Sequence, residues 1–199
     1  MNKQNRFLPT TKDEMKQRGW DELDVVLITG DAYIDSPFMG IAVVGRILED
    51  IGLRVGIIGQ PDINSDVDIK RLGEPKLFWG VSGGSIDSMV SNYTATKKFR
   101  NDDDYTPGGK NNKRPDRATL VYTNLIRRYF KNTVPIVLGG IEASLRRLTH
   151  YDYWSNTLRK PILFDSKADY MIYGMGEQAI IDLGLYLKDG KDVRTIAGL

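Results

Sequence analysis

Five short apolar runs punctuate the chain: Val25–Thr29 (VVLIT), Val55–Ile58 (VGII), Leu77–Val81 (LFWGV), Val134–Leu138 (VPIVL) and Tyr170–Tyr173 (YMIY). They are rich in β-branched or aromatic residues and do not alternate apolar with polar positions. That pattern predicts strands buried on both faces, as in a parallel sheet. Pro135 has no N–H for a ladder hydrogen bond, so it is expected at a strand start or an edge. Between the runs the period becomes helical. Pro37–Ile51 opens with a proline and stops before Gly52, and Ile41, Val44, Ile47, Leu48 and Ile51 keep the three–four spacing of a helix lying on a sheet. Asp116–Lys131 starts acidic and ends basic, as the helix dipole favours. Glu142–Thr149 and Gly176–Lys188 are further helices, with Gly190 placed to close the last. Strand and helix in repeated alternation predict an α/β fold: a doubly wound, mainly parallel five-stranded sheet, flavodoxin-like in its strand order 2-1-3-4-5.

Two stretches fall outside this alternation. Residues 1–20 are predicted as an N-terminal arm before a Rossmann-like domain over 21–190. Residues 97–115 (KKFRNDDDYTPGGKNNKRP) lack periodicity and are rich in turn formers, which predicts a mobile insertion. Composition narrows the function classes. Lys+Arg is 28 against Asp+Glu 26, a net charge of +2, without the basic excess of a dedicated nucleic-acid or membrane-surface protein. The longest run without a charged residue is ten, short of the ~18 a membrane-spanning helix needs. The N-terminus lacks the apolar segment of a secretory signal. A cytoplasmic protein with no membrane partner is expected. With no cysteine and one histidine, this chain carries no thiolate ligand and too few imidazoles for the usual metal sites. Neither a metal set nor a catalytic set is assigned to it. What remains is carboxylates, hydroxyls, backbone amides and arginines.

Ligands of open α/β sheets bind beyond the carboxyl ends of the strands, and every run here exits into glycine. The candidate ligand-lining residues are Asp31 and Tyr33 after the first strand, and Ser82, Gly83, Gly84, Ser85 and Asp87 after the third. Gly139, Gly140 and Glu142 follow the fourth, and Gly174, Gly176 and Glu177 the fifth. Glycine admits close approach of a ligand, and helix N-termini offer N–H groups to anions. Each turn alone is equally served by glycine and helix caps; five together point to a cleft. Neither a GK[ST] phosphate loop nor a G-x-G-x-x-G fingerprint is present. Asp31 and Asp35, four apart, are a candidate magnesium-hydrolase pair or simple caps. His150, among aromatics, reads as a packed side chain, and Arg146-Arg147 and Arg159-Lys160 as surface or interface residues. Tyr105, Gly108, Gly109, Lys110, Arg114 and Arg117 form either a basic loop that closes over an anionic ligand or a solvated one.

Six motifs in order, FLPTT, TGDAYIDSPFMG, SGGSIDSMVSNYTA, YTPGGKNNKRPDRA, LGGIEASLRRLTHYDYW and DSKADYMIYGMGEQA, span residue 7 to about 190. In them the chain resembles the YgiQ-type radical SAM proteins. The resemblance implies the N-terminal ligand- or cofactor-binding domain of an enzyme whose C-terminal barrel holds a 4Fe-4S cluster and S-adenosylmethionine (SAM). The cysteine motif for that cluster is absent here, so neither group is placed on this chain. Residues 191–199 resemble the linker to that barrel, which is the implied partner beside an unidentified small molecule. The chain alone is not expected to be catalytic. The family's N-terminal region is similar to cobalamin-binding domains, which use Asp-x-His-x-x-Gly after the first strand, a serine after the third and Gly-Gly after the fourth. Ser82 and Gly139-Gly140 match. Tyr33 stands where the histidine would be and Ser36 where the glycine would be, which removes the imidazole axial ligand but not a corrinoid bound without one. A domain that only packs on the barrel is the other implied role.

Overall fold

In the computed structural model, which describes residues 7–199, the apolar runs become strands β1 (Val25–Thr29), β2 (Val55–Gly59), β3 (Phe78–Ser82), β4 (Ile136–Gly139) and, after an excursion, β7 (Tyr170–Met171). Among the described residues they form one sheet in the order β2-β1-β3-β4-β7, every pair parallel. Numbered alone, these strands have the expected order 2-1-3-4-5. Pro135 lies just before β4, where its carbonyl accepts from Trp79 N–H at 2.9 Å and its missing donor costs no ladder bond.

The sheet is covered on both faces. Val25, Leu27, Val55, Ile57, Phe78 and Val137 cluster with Leu48 of α2 (Gly40–Asp50) and with Ile180 and Leu183 of α8 (Glu177–Asp189). The alternate positions Val26, Ile28, Ile58, Trp79, Val81, Ile136 and Leu138 cluster with Tyr122, Leu125 and Ile126 of α5 (Ala118–Tyr129). Ile69 of α3 (Val67–Lys70) and Ile162 of α7 (Ile162–Ser166) join that second face. Burying one such aliphatic side chain stabilises by about 1.5–3 kcal/mol, so neither strand parity can turn to water, which explains the continuous apolar runs. Trp79 keeps its one polar atom satisfied by donating to Thr133 Oγ1 at 2.7 Å.

Helix boundaries shift for local reasons. The helix expected from Pro37 starts at Gly40, leaving Pro37 and Phe38 in the loop that leaves β1. The helix expected from Asp116 starts at Ala118, because Arg117 takes left-handed backbone (φ +52°); the Asp116 carboxylate instead accepts from Asn92 Nδ2 and the Tyr93 hydroxyl, both at 2.8 Å. The helix expected over Glu142–Thr149 is α6 (Gly140–Leu145), which begins directly on β4. Gly190 closes α8 with φ +67°, as expected. The short elements α1 (Lys12–Gln17), α4 (Ser88–Asn92) and the antiparallel hairpin of β5 (His150–Asp152) and β6 (Thr157–Arg159) carry no long periodic pattern.

The N-terminal stretch is fastened to the sheet. Residues 1–6 lie outside the described residues. Leu8 is fully buried in the α2/α8 face, Met15 is buried on the other, and the Pro9 carbonyl accepts from Ile57 N–H at 2.9 Å, covering the β2 edge. In the segment 97–115, Asp103, Thr106, Asn111 and Arg114 are buried. Among the described residues no helix is long and apolar enough to cross a membrane.

Two stability measurements follow. Leu8→Ala removes a fully buried side chain and is expected to cost about 2–5 kcal/mol in urea unfolding; a cost near zero would mean that residues 8–20 do not hold to the sheet in solution. Asp152 joins the hairpin to Arg117 at 2.7 Å. Burial alone would raise its pKa, but hydrogen bonds from the Ser155 hydroxyl, Arg117 and Ser155 N–H hold it down, from 3.8 to about 2. A depressed carboxylate contributes stability above its unfolded pKa and loses it as the pH falls through the folded one. Asp152→Asn should therefore be less stable than the parent at pH 7, with the gap narrowing between about pH 4 and 2. A gap independent of pH in paired denaturation curves would refute the ion-pair account.

Candidate functional site

The strand order reverses at β1 and β3, and a cleft of about 500 Å³ opens there beyond the carboxyl ends. It runs down the α2/α8 face of the sheet. Leu27, Val137 and Ile172 form the sheet wall, Ile41 and Val44 the α2 wall, and Ile180 the α8 wall. The mouth is polar or glycine: Asp31, Ser82, Gly84, Ser85, Gly139, Gly140, Gly174, Gly176 and Glu177. Gly139 has ordinary extended backbone (φ −155°, ψ −179°), and a Cβ there would meet nothing nearer than the Ile172 carbonyl at 4.0 Å. Its missing side chain therefore leaves the cleft open without serving the fold. Phe38 and Met175 stand at the rim 92% and 93% exposed. An apolar slot with a polar mouth suits a ligand with a flat apolar part and a polar remainder.

The mouth rests on a buried ion network. Arg114 Nη2 lies 2.8 Å from Asp31 Oδ1 and 3.3 Å from Asp103 Oδ2, with all three side chains buried. Arg114 Nη1 donates to the Gly83 carbonyl at 3.0 Å. Asp31 Oδ2 accepts from Ser85 N–H and Oγ at 2.6 and 2.7 Å. Asp103 is held in turn by the Thr106 hydroxyl at 2.8 Å and Tyr105 N–H at 3.0 Å. Gln60 Nε2 reaches Thr106 Oγ1 at 2.6 Å and the Gly30 carbonyl at 3.0 Å. One segment thus ties together the exits of β1, β2 and β3. Gly84 has φ +112°, and a Cβ there would strike Asp31 Oδ1, so the network requires glycine at this place.

Four of the expected lining residues have other work. Gly83 gives its carbonyl to Arg114. Asp87 is the N-cap of α4, accepting from Met89 N–H at 2.9 Å, and pairs with Arg146. Glu142 is buried with both oxygens engaged, by Ser88 N–H at 2.9 Å and Thr119 N–H at 3.0 Å, and so braces α4 against α5. Tyr33 turns its hydroxyl to Leu8 N–H at 3.2 Å, and burial pushes its pKa up to about 12, so it stays a neutral phenol. Ser82 remains at the mouth, its Oγ accepting from Gly84 N–H at 3.0 Å.

The basic loop does not line the cleft. Arg114 lies beneath it, Tyr105 stacks on Arg114 at 5.7 Å, and Gly108 and Gly109 form a tight turn with φ +81° and +71°. The backbone of Lys110 pairs antiparallel with that of Asp102, while the Arg117 side chain pairs with Asp152. Asp31 and Asp35 do not form a joint carboxylate site: Asp31 faces Arg114, and Asp35 accepts from Arg46 Nε at 3.2 Å. Among the described residues no group of three or more His, Asp or Glu is placed to hold a metal ion. Asp31, the buried carboxylate of the cleft, is already neutralised, and Glu177 sits exposed at the start of α8. Sequence reasoning missed the walls. Ile41 and Val44 read as sheet-facing positions of a helix, and the signals for the rim, Phe38 and Met175, were large apolar residues inside glycine- and proline-rich exits.

The family profile described as Radical SAM N-terminal matches residues 7–199. A UPF0313 protein of Fusobacterium nucleatum is 62% identical over 195 residues, which cover 98% of this chain and 34% of that one. The UPF0313 protein YgiQ of Salmonella typhimurium is 54% identical over 190 residues, covering 96% and 26%. The chain thus spans about a third of the curated relatives it matches. Among solved structures, TsrM of Kitasatospora setae, a radical S-adenosylmethionine methyltransferase, is similar in fold. In the form with tryptophan substrate and a SAM analog its TM-score is 0.57 at 18% identity, covering 88% of this chain and 28% of that one. In the form with cobalamin and a [4Fe-4S] cluster bound the TM-score is 0.56 at 19% identity, covering 88% and 26%.

Arg114→Met would strand Asp31 and Asp103 as buried carboxylates and is expected to cost about 3–5 kcal/mol in urea unfolding. A loss below ~1 kcal/mol, typical of a surface pair, would show that the network is hydrated in solution.

Proposed function

The chain belongs to the Radical SAM N-terminal family of UPF0313 proteins, and from that premise we propose that it is the ligand-binding domain of a radical SAM enzyme, with a corrinoid as the ligand of its cleft. The observation that carries this is the apolar slot between the sheet and α2/α8, kept open by Gly139 at the end of β4. The cobalamin bound by the similarly folded TsrM supports the choice of ligand class. The donor set fits one mode only. No imidazole stands in the β1 exit, and Tyr33 is a neutral phenol already engaged by Leu8, so a corrinoid would sit without a protein ligand from that turn. Leu27, Val137 and Ile180 would hold its apolar part, and Ser82 and the Gly139-Gly140 backbone would meet its polar part at the mouth. A bound corrinoid would supply cobalt-centred chemistry. This chain's own part is to orient the ligand and exclude water from the slot.

The cluster and SAM are proposed to reside on the remaining two thirds of the polypeptide, since no cysteine is available among these 199 residues. That portion is also the proposed partner of the rim. Phe38 and Met175 favour a second reading in which the sheet top is only a packing surface for it.

The two readings separate in one experiment. Titration with hydroxocobalamin, followed by visible absorbance, should show saturable one-to-one binding. Gly139→Leu, which fills the slot in open space, should weaken it by about 100-fold or more with an unchanged melting temperature. If no corrinoid binds, yet the separately produced remainder of a full-length relative does and is lost on Phe38→Ser/Met175→Ser, the scaffold reading replaces the first.

A further inference from the structure

We propose that a second cavity, enclosed by α5, α6, the β5–β6 hairpin and α7, is a binding site for a phosphate-class oxyanion. It lies on the α5 side of the sheet, away from the cleft, and does not rest on the corrinoid reading. Its nitrogen-bearing lining residues are Arg117, Arg146, His150, Arg159 and Lys160. Two carboxylates also line it, and both are engaged. Glu142 accepts from Ser88 and Thr119 N–H, and Asp165 Oδ2 accepts from Arg159 Nε and Nη2 at 3.1 and 3.0 Å. The cavity therefore has donors in surplus.

The surplus can be named atom by atom. Arg117 gives Nη2 to Asp152, but its buried Nε has no partner among the described residues. Lys160 is exposed and forms no ion pair among them. His150 Nδ1 lies 3.0 Å from the Leu148 carbonyl, which can only accept, so Nδ1 carries a proton. His150 Nε2 is then the other buried atom of the lining left without a partner. In that tautomer Nε2 is an acceptor, so it adds no donor and serves as a reporter atom inside the cavity. Buried donors left unpaired are costly. Guanidinium and ammonium groups around a common space are the usual apparatus for oxyanions, which offer several acceptors; each arginine here already has one carboxylate partner, Asp152, Asp87 or Asp165, so the anion would take the N–H groups those partners leave over and the Lys160 ammonium. The volume, about 20 Å³, admits one or two oxygen-sized groups. The anion would insert one edge and leave the rest at the mouth beside Lys160. This reading gives a role to the unpartnered Arg117 Nε and to Lys160, which neither the cleft nor the ion pairs use.

His150 is the only histidine in the chain, so its ring nitrogens give uniquely assigned NMR signals. Inorganic phosphate is titrated at fixed pH, with chloride holding the ionic strength constant, while the ¹⁵N shift of His150 Nε2 is followed. A saturable shift is expected. Lys160→Gln, an exposed and unpaired position, should weaken the fitted affinity about tenfold. Arg147→Gln, at an exposed arginine outside the cavity, should leave it unchanged. An Nε2 signal that phosphate does not move means a cavity filled by water alone and overturns the proposal. So does a titration that is the same in Lys160→Gln and the parent, or one equally weakened by Arg147→Gln, since either marks diffuse surface attraction.

Discussion

Arg114, buried between Asp31 and Asp103, is the contact on which the upper end of the sheet depends. Parallel strands leave their carboxyl ends as separate loops, and nothing in the ladder hydrogen bonds sets one loop against the next. Here a guanidinium from a segment some thirty residues downstream of β3 lies under the β1 exit and takes the Gly83 carbonyl of the β3 exit. Thr106 of the same segment meets Gln60 of the β2 exit. A charge buried this way is tolerated only with its partners in place. The three exits therefore keep one arrangement, and the cleft mouth inherits its shape from an ion pair that no ligand needs to touch.

The cleft itself is a consequence of the sheet. Covering both faces forces β1, β3 and β4 to be apolar throughout, and that same apolar surface continues up the α2/α8 face as the wall of the slot. Gly139 leaves it vacant where any other residue would project a side chain. Across β4 the chain uses the other side differently. Glu142 of α6 and Arg146 at its C-terminal end brace α4 and α5, while Gly140 and Ile141, at the start of the same helix, border the cleft. One six-residue helix thus separates an apolar slot from a charged cavity.

The contrast between residues that line the cleft and residues that brace the fold runs through the strand exits. Asp87, Glu142, Tyr33 and Arg114 have the residue types of a ligand site and are engaged by the protein's own N–H, carboxylate or guanidinium groups. Ser82, Gly139, Gly140, Gly174 and Gly176 reach the cleft. Asp35 shows how local spacing misleads. Four residues from Asp31 on one loop, it turns to Arg46 of α2, because a charged side chain seeks the nearest partner in space whatever its neighbour in sequence does.

The fold class, the parallel pairing and the two major helices α5 and α8 were legible in the chain, since burial on two faces imprints long apolar runs and a helical period; the strand order 2-1-3-4-5 was an expectation from the fold type, and the folded pairing decided it. The glycines at every exit marked the end of the sheet where a cleft forms. Which carboxylate would be free was not legible. The elements of three to six residues, the hairpin and α1, α4 and α7, carry too few positions for a period to show. The partners of Asp31, Asp87, Glu142 and His150 lie far away in sequence or in a reversed turn. Sequence alone determined the layers, because hydrophobic burial is additive along the chain and needs no knowledge of partners. Tertiary structure alone decided the site, because an ion pair or a hydrogen bond depends on the distance between two particular atoms, and only the folded packing sets that distance.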